Sequence, residues 1–208
     1  MIETKQKILD TAEQLFGEQG YGATSLRQII AAAGVNLAAI HYHFGSKEEL
    51  LDQIILRKAE PVNRERLEML ERFEAEAGGG PVAVEKILEA FLTPAIARVA
   101  VNPGFSKLSG RLLGEGLMPA IVEKHFRHVA IRFTGALARA LPELSPVELE
   151  WRGFFVIGTM AHTMCSKPQT NASLEGMEAW KVLRRLVAFL SGGLRAPATE
   201  TSGTEVNR

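Results

Sequence analysis

The sequence predicts an all-α protein: an N-terminal three-helix unit containing a helix-turn-helix, followed by a larger helical domain. Three observations support this. Apolar residues recur at helical spacing over most of the 208 residues, and strand-like alternation is not evident anywhere. Residues 24–44, TSLRQIIAAAGVNLAAIHYHF, divide at Gly34 into two short helices. Gly78, Gly79, Gly80 and Pro81 form the clearest break in the chain.

The first helix is expected from Lys5 to about Glu18, with Ile8, Leu9, Ala12, Leu15 and Phe16 on one side and an end at Gly20. Leu26, Ile29, Ile30 and Ala33 mark the buried face of the second. Gly34 ends it, because glycine enters a left-handed cap without a Cβ penalty. Asn36 can cap the third helix, whose Ile40 points back into the same small core. Its outer face carries Leu37, Ala38, Ala39, His41, Tyr42 and His43, a compact mix of apolar and hydrogen-bonding groups the size of a major-groove reading surface. An ordinary helical hairpin has the same bare pattern. The flanks decide against it: one helix precedes, and Ser46 and Glu49 have capping-box spacing ahead of Leu50 and Leu51. The partner such a surface implies is double-stranded DNA. Leu37, Ala38, Ala39, His41, Tyr42 and His43 are the candidate reading residues, and Ser25, Arg27, Lys47 and the Thr24 cap the candidate phosphate-positioning ones.

Charge does not advertise this role. The chain has 24 basic and 24 acidic residues, and residues 1–60 hold six Lys/Arg against eight Asp/Glu. The expected resolution is that Lys5, Arg27 and Lys47 share the phosphate-facing side while most acids point away.

The run KILDTAEQLFGEQGYGATSLRQIIAAAGVNLAAIHYHFGSKEELLDQII resembles the DNA-binding domain of the TetR (tetracycline repressor) family of bacterial regulators. The matching features come in order: A-x-x-L-F, G-Y-x-x-T, A-G-V at the turn, then Y-H-F-x-S-K-E-x-L, over residues 5–56. Leu37 departs from the small or polar residue usual in the family where the reading helix opens. The resemblance implies a dimeric repressor, cytoplasmic, with no cofactor and no catalytic site, released from a palindromic operator by a small molecule.

Beyond this region the long helix from Ser46 should end or kink at Glu60–Pro61. Further helices are expected at about 82–101, 104–114, 118–141, 146–166 and 174–191, and residues 195–208 read as a disordered tail. The division expected is 1–52 for the helix-turn-helix domain and 53–194 for an effector-binding and dimerisation domain. Residues 148–165 are apolar almost all round, so a second subunit is the natural cover for one face. With the segment from Trp180 they resemble the family's dimerisation helices; the expected interface is Trp151, Phe155, Gly158, Met164, Trp180, Leu183 and Val187. A monomeric core is the plainer alternative. The apolar set in the middle region is ordinarily core, but the family holds an effector cavity there. That assigns Phe91, Phe105, Leu108, Arg111, Leu112, Phe126, Phe133 and Met160 to an apolar, fatty-acid-like effector, with Arg98, Arg111, His125 and His162 as the sparse polar groups. The competing reading is an effector-independent DNA-binding protein with a filled core.

An enzyme is disfavoured: no H-E-x-x-H, G-x-S-x-G, Walker loop or Cys/His ligand cluster is present. His41 and His43, two apart on a helix, do not face one metal. The single cysteine, Cys165, excludes an intramolecular disulfide and reads as a packed thiol. The polar start, Met1 to Lys5, is unlike a signal peptide, and the longest apolar run, Gly153 to Ala161, is far short of the roughly 20 residues needed to cross a bilayer, so no membrane partner is expected.

Overall fold

The computed structural model describes residues 2–101, 103–165 and 178–198. Among these residues there are ten helices and no strand: α1 Ile2–Gln19, α2 Leu26–Ala33, α3 Leu37–His43, α4 Lys47–Glu76, α5 Val84–Val101, α6 Pro103–Gly114, α7 Met118–His125, α8 Arg127–Ala140, α9 Pro146–Cys165 and α10 Ala179–Leu194. The side chains of Phe105 and Cys165, and residues 199–208 of the expected tail, lie outside the described residues.

Two apolar cores organise these helices. The first collects Ile8, Ala12 and Phe16 of α1, Ile29 and Ala33 of α2, Ile40 of α3, and Leu50, Ile54 and Ala59 of α4. The second lies between α4, α5, α8, α9 and α10, around Leu70, Ile87, Leu88, Leu92, Phe133, Val156 and Leu190. The α4 helix runs through both, so the expected boundary between residues 52 and 53 falls inside a continuous helix.

Of the end or kink expected at Glu60–Pro61, the end does not occur: Pro61 lies inside α4. An interior proline costs about 3 kcal/mol. Each fully buried aliphatic side chain returns roughly 1.5–3 kcal/mol, and Ile54 and Ile55 on one side and Val62 and Leu70 on the other are all buried. Packing on both sides of the proline therefore outweighs the lost backbone bond.

The helix expected over 118–141 is interrupted at Phe126, which has φ −123° and ψ −8°. The cause is on α4. Asn63 Nδ2 donates to the carbonyl of His125 at 2.9 Å, taking the acceptor that a continuous helix would offer to Val129. The corner is further fixed by Asp52, whose Oδ1 lies 2.8 Å from His125 Nε2 and 2.7 Å from Lys124 Nζ. Burial raises the Asp52 carboxyl, but the Lys124 and His125 hydrogen bonds and charges outweigh it and hold its pKa below the usual range.

The far end is closed by Arg152. Its guanidinium reaches Glu148 at 2.7 Å and the carbonyls of Gly193, Leu194 and Pro197 at 3.3, 2.6 and 3.1 Å, supplying the donors that the end of α10 lacks. Arg195 forks onto Glu85 and ties the same end to α5. The Arg195 hydrogen bond is the main reason the Glu85 carboxyl is lowered to about 2.

Candidate nucleic-acid interface and cavity

Local caps build the reading head. Ser25 and Gln28 form a reciprocal capping box at the start of α2. Gly34, at φ 61°, ends α2, and its amide and that of Val35 return to Ala31 and Ile30. Asn36 Oδ1 accepts from Ala39 N at 2.8 Å and Ser46 Oγ from Glu49 N at 3.0 Å, so both α3 and α4 start on capped turns.

This frame buries Ile40 and Phe44 and turns the rest of α3 outward. Tyr42 is 74% exposed and Leu37 54% exposed, which excludes plain core packing for either. Ala38 and His41 are exposed, while Ala39 and His43 are half-buried. His41 Nδ1 lies 3.2 Å from the Gly45 carbonyl, and the His43 ring stands edge-on to Tyr42 at 5.0 Å. Arg27 projects from α2 into solvent, and Ser25 is engaged in its cap.

Lys47 has a structural task. Its Nζ donates to the carbonyls of Tyr21 and Thr24, both at 2.7 Å, and sits 4.2 Å from the Tyr21 ring centroid. It thus holds the turn that presents α2. Burial, with the Glu48 charge and hydrogen bond beside it, pushes the Tyr21 hydroxyl up to about 12.

Two acids of the first sixty residues, Asp10 and Glu13, are paired between α1 and α4. Arg57 reaches Asp10 and Glu13 at 2.7 Å, and Lys58 reaches Glu13 at 2.8 Å. Lys5 lies 5.9 Å from the ring centroid of Phe44, at the end of α3, and Lys7 Nζ comes within 3.8 Å of the Cβ position of Gly34, beside the turn. Lys7 is exposed on α1, outside the buried stripe of Ile8, Ala12 and Phe16.

Behind the head, α6 packs against α1. Leu108 and Leu112 are almost wholly buried and belong to the reading head's core. Their assignment to an effector cavity is therefore corrected: their helical face meets α1 instead. Arg111 is corrected likewise, since Nη2 donates to the Glu18 carbonyl at 3.0 Å at the end of α1. Just past α6, the Glu115 carboxylate accepts from Tyr21 N at 2.9 Å and Gly22 N at 2.8 Å. Gly20 makes room for it: φ is 95°, and a Cβ there would stand 2.5 Å from Glu115 Oε1.

A cavity of about 370 Å³ opens between α4, α5, α6, α7, α8 and α9. Phe91, Phe126, Phe133 and Met160 line it, and Phe105 lies outside the described side chains. Met164, expected at a dimer surface, also lines it. Of the sparse polar groups, Arg98 lines the cavity but pairs with Glu65 at 3.5 Å, His125 is held by Asp52, and His162 is exposed on α9. Sequence reasoning missed Arg66, which is 3% exposed and lines the cavity. The signal was present: Arg66 occupies one place in the stripe Val62, Arg66, Leu70, Phe73, whose other members are apolar and buried.

On the opposite face, Trp151, Phe154 and Phe155 of α9 are each more than half exposed, with ring centroids 6.0–6.1 Å apart. Trp180 and Phe189 of α10 are exposed as well, and Gly158 is open. Val187 is corrected: the register of α10 turns it inward with Leu186, Leu190 and Leu194, and Leu183 is half-buried against the same core.

A capped helix-turn-helix joined through α4 to a larger helical body is the arrangement of a DNA-binding transcriptional regulator, and comparison with known proteins agrees. The family described as "Bacterial regulatory proteins, tetR family" matches residues 8–54, and "Tetracyclin repressor-like, C-terminal domain" matches residues 89–193. The chain belongs to the TetR family and is a transcriptional regulator, not an enzyme. It is 27% identical to the HTH-type transcriptional regulator AcrR of Shigella flexneri over 95% of this chain and 94% of that one. Over 24% of the chain, and 25% of the relative, it is 41% identical to the HTH-type transcriptional repressor KstR2 of Rhodococcus jostii. A solved tetR-family regulatory protein from Rhodococcus RHA1 shares the fold, with TM-score 0.67, 19% identity, and coverage of 92% of this chain and 96% of that one. No helix among the described residues is long and apolar enough to cross a membrane.

Proposed function

We propose that this regulator is a homodimeric repressor that binds a palindromic operator and is released from it by an apolar small molecule held in the cavity between α4 and α9. The observation that carries the reading is the cavity itself. Its volume of about 370 Å³ and largely apolar lining are those of a small-molecule site, which favours an effector over a filled core. The exposed aromatic face of α9 and α10 supports dimerisation, because an apolar patch of this kind on a folded protein ordinarily meets a partner. A two-fold dimer doubles the reach of one short reading helix and requires paired half-sites about 34–36 Å apart.

The wall shared with the reading head suggests how occupancy is felt. Met118 and Phe126 line the cavity and also pack against the reading head's core. A ligand that shifts α7 or α4 changes the spacing of two α3 helices, and it releases DNA if it binds the displaced arrangement more tightly. The test is to select operator fragments from genomic DNA, then measure effector affinity with and without saturating operator. Linkage requires the two ligands to weaken each other by the same factor. Footprints without two-fold symmetry, or effector affinities indifferent to operator, would overturn the reading.

A further inference from the structure

We propose that the effector is an acid, a carboxylate on an aliphatic or aromatic body, whose head group is held by Arg66. The proposal rests on the cavity being the effector site and adds the charge of its occupant.

Arg66 is buried at the cavity wall with no carboxylate partner among the described residues. Its acceptors are all neutral. Nε donates to the Phe91 carbonyl at 2.8 Å, Nη1 to Asn63 Oδ1 at 3.3 Å, and Nη2 to the Met160 sulfur at 3.4 Å, a weak acceptor. The guanidinium also stacks on the Phe91 ring, 4.2 Å from its centroid. Burial lowers its pKa to about 10, which leaves it charged at neutral pH.

The other cations of the cavity wall are already compensated: Arg57 by Asp10 and Glu13, Lys58 by Glu13, and Arg98 by Glu65. The comparably buried Arg152 has Glu148. Arg66 is thus the one cation of the described lining that is charged, desolvated and without a counter-ion, and such a charge is costly to keep unless something neutralises it. Because Nε is committed to Phe91, the Nη1/Nη2 end is the fork that a ligand meets, and it matches the two oxygens of a carboxylate. A single positive charge suits a single negative one. Phe91, Phe133, Val129 and Leu137 supply apolar walls for the body of the acid.

The experiment uses the full-length protein and n-alkanoates from octanoate to hexadecanoate, each against the primary alcohol of the same length, with phenylbutyrate against phenylbutanol as the aromatic pair. Affinities are read by calorimetry and release by competition with operator DNA. In the wild type the best carboxylate should bind on the order of ten- to a hundredfold more tightly than its alcohol. Arg66→Met should bring the carboxylate's affinity down to about that of the alcohol in the same variant, and Arg66→Lys should retain part of the preference. Because Arg66→Met removes an uncompensated charge, its ligand-free melting temperature should not fall; if it does not fold, Arg66→Lys and Arg66→Gln decide the comparison. Acid and alcohol binding equally, both releasing DNA, would overturn the anionic head group and leave the effector cavity standing. If neither binds nor shifts the melting temperature, the anionic effector proposal fails, and the operator footprint and operator-linkage measurements alone decide the proposed function.

Discussion

Replacing Glu115 with alanine should loosen the joint between α6 and the reading head by an amount that can be worked from its two hydrogen bonds. The carboxylate accepts from the Tyr21 and Gly22 amides at 2.9 and 2.8 Å. A buried charged hydrogen bond contributes about 1.5–3 kcal/mol, but Glu115 is exposed, so a discounted figure of about 1–2 kcal/mol for the pair is appropriate. At about 2–4 °C per kcal/mol for a chain of this length, the melting temperature should fall by roughly 2–8 °C. Gly20→Ala supplies the cross-check. A side chain at φ 95° costs about 1–2 kcal/mol in strain. Its Cβ would also occupy the space 2.5 Å from Glu115 Oε1, so the carboxylate must leave. The single Gly20→Ala variant should therefore lose about 2–4 kcal/mol by these two estimates together. The double variant should lose no more than that, giving a coupling of about 1–2 kcal/mol in urea unfolding. Additivity of the two substitutions within about 0.5 kcal/mol would refute the contact as a stabilising one.

Three other outcomes are expected. Phe155→Glu places a charge on the exposed aromatic face of α9, and sedimentation should show a shift to monomer with loss of specific operator binding; an unchanged dimer would move the interface elsewhere. Arg27→Ala should weaken binding to all DNA and reduce the salt slope by up to about one unit, whereas Tyr42→Ala should cost more on the operator than on random DNA. Equal losses on both DNAs for Tyr42→Ala would assign it to backbone contact. Glu74 is held below its usual 4.5 first by the Arg132 hydrogen bond, with burial opposing and the Arg132 and Arg139 charges adding. Its contribution is present above pH 4.5 and lost as pH falls through the lowered value, so the stability gap between wild type and Glu74→Gln should close in acid. A gap that persists below that window would assign the loss to packing.

The reading head was legible because its signals are local. Gly34, Asn36 and Ser46 each act within four residues, and the structure places each at the cap its neighbours imply. At the start of α2 the cap is Ser25 rather than the expected Thr24, which is buried with its hydroxyl donating to the Gly20 carbonyl. Where the sequence misled, a distant partner decided. Pro61 stays helical because cores on both sides claim α4, and the helix breaks at Phe126 because Asn63 takes the carbonyl of His125, sixty-two residues further along the chain. Periodicity showed that Leu108 and Leu112 face a core without showing which one. In α9 and α10, apolar on most sides, it could not separate Met164 and Val187, which turn inward, from Phe155 and Trp180, which do not.

The burial of Leu108 and Leu112 in the head's core bears on how such a protein can be cut and recombined. A fragment ending after α4 would leave Phe16 and its neighbours facing water where α6 had covered them. Chimaeras that graft this head onto another sensor body should therefore place two junctions, carrying α6 and the Glu115 turn along with α1 to α4. A single splice within α4 would instead pair the α1 surface with a foreign helix whose side chains were shaped for another one.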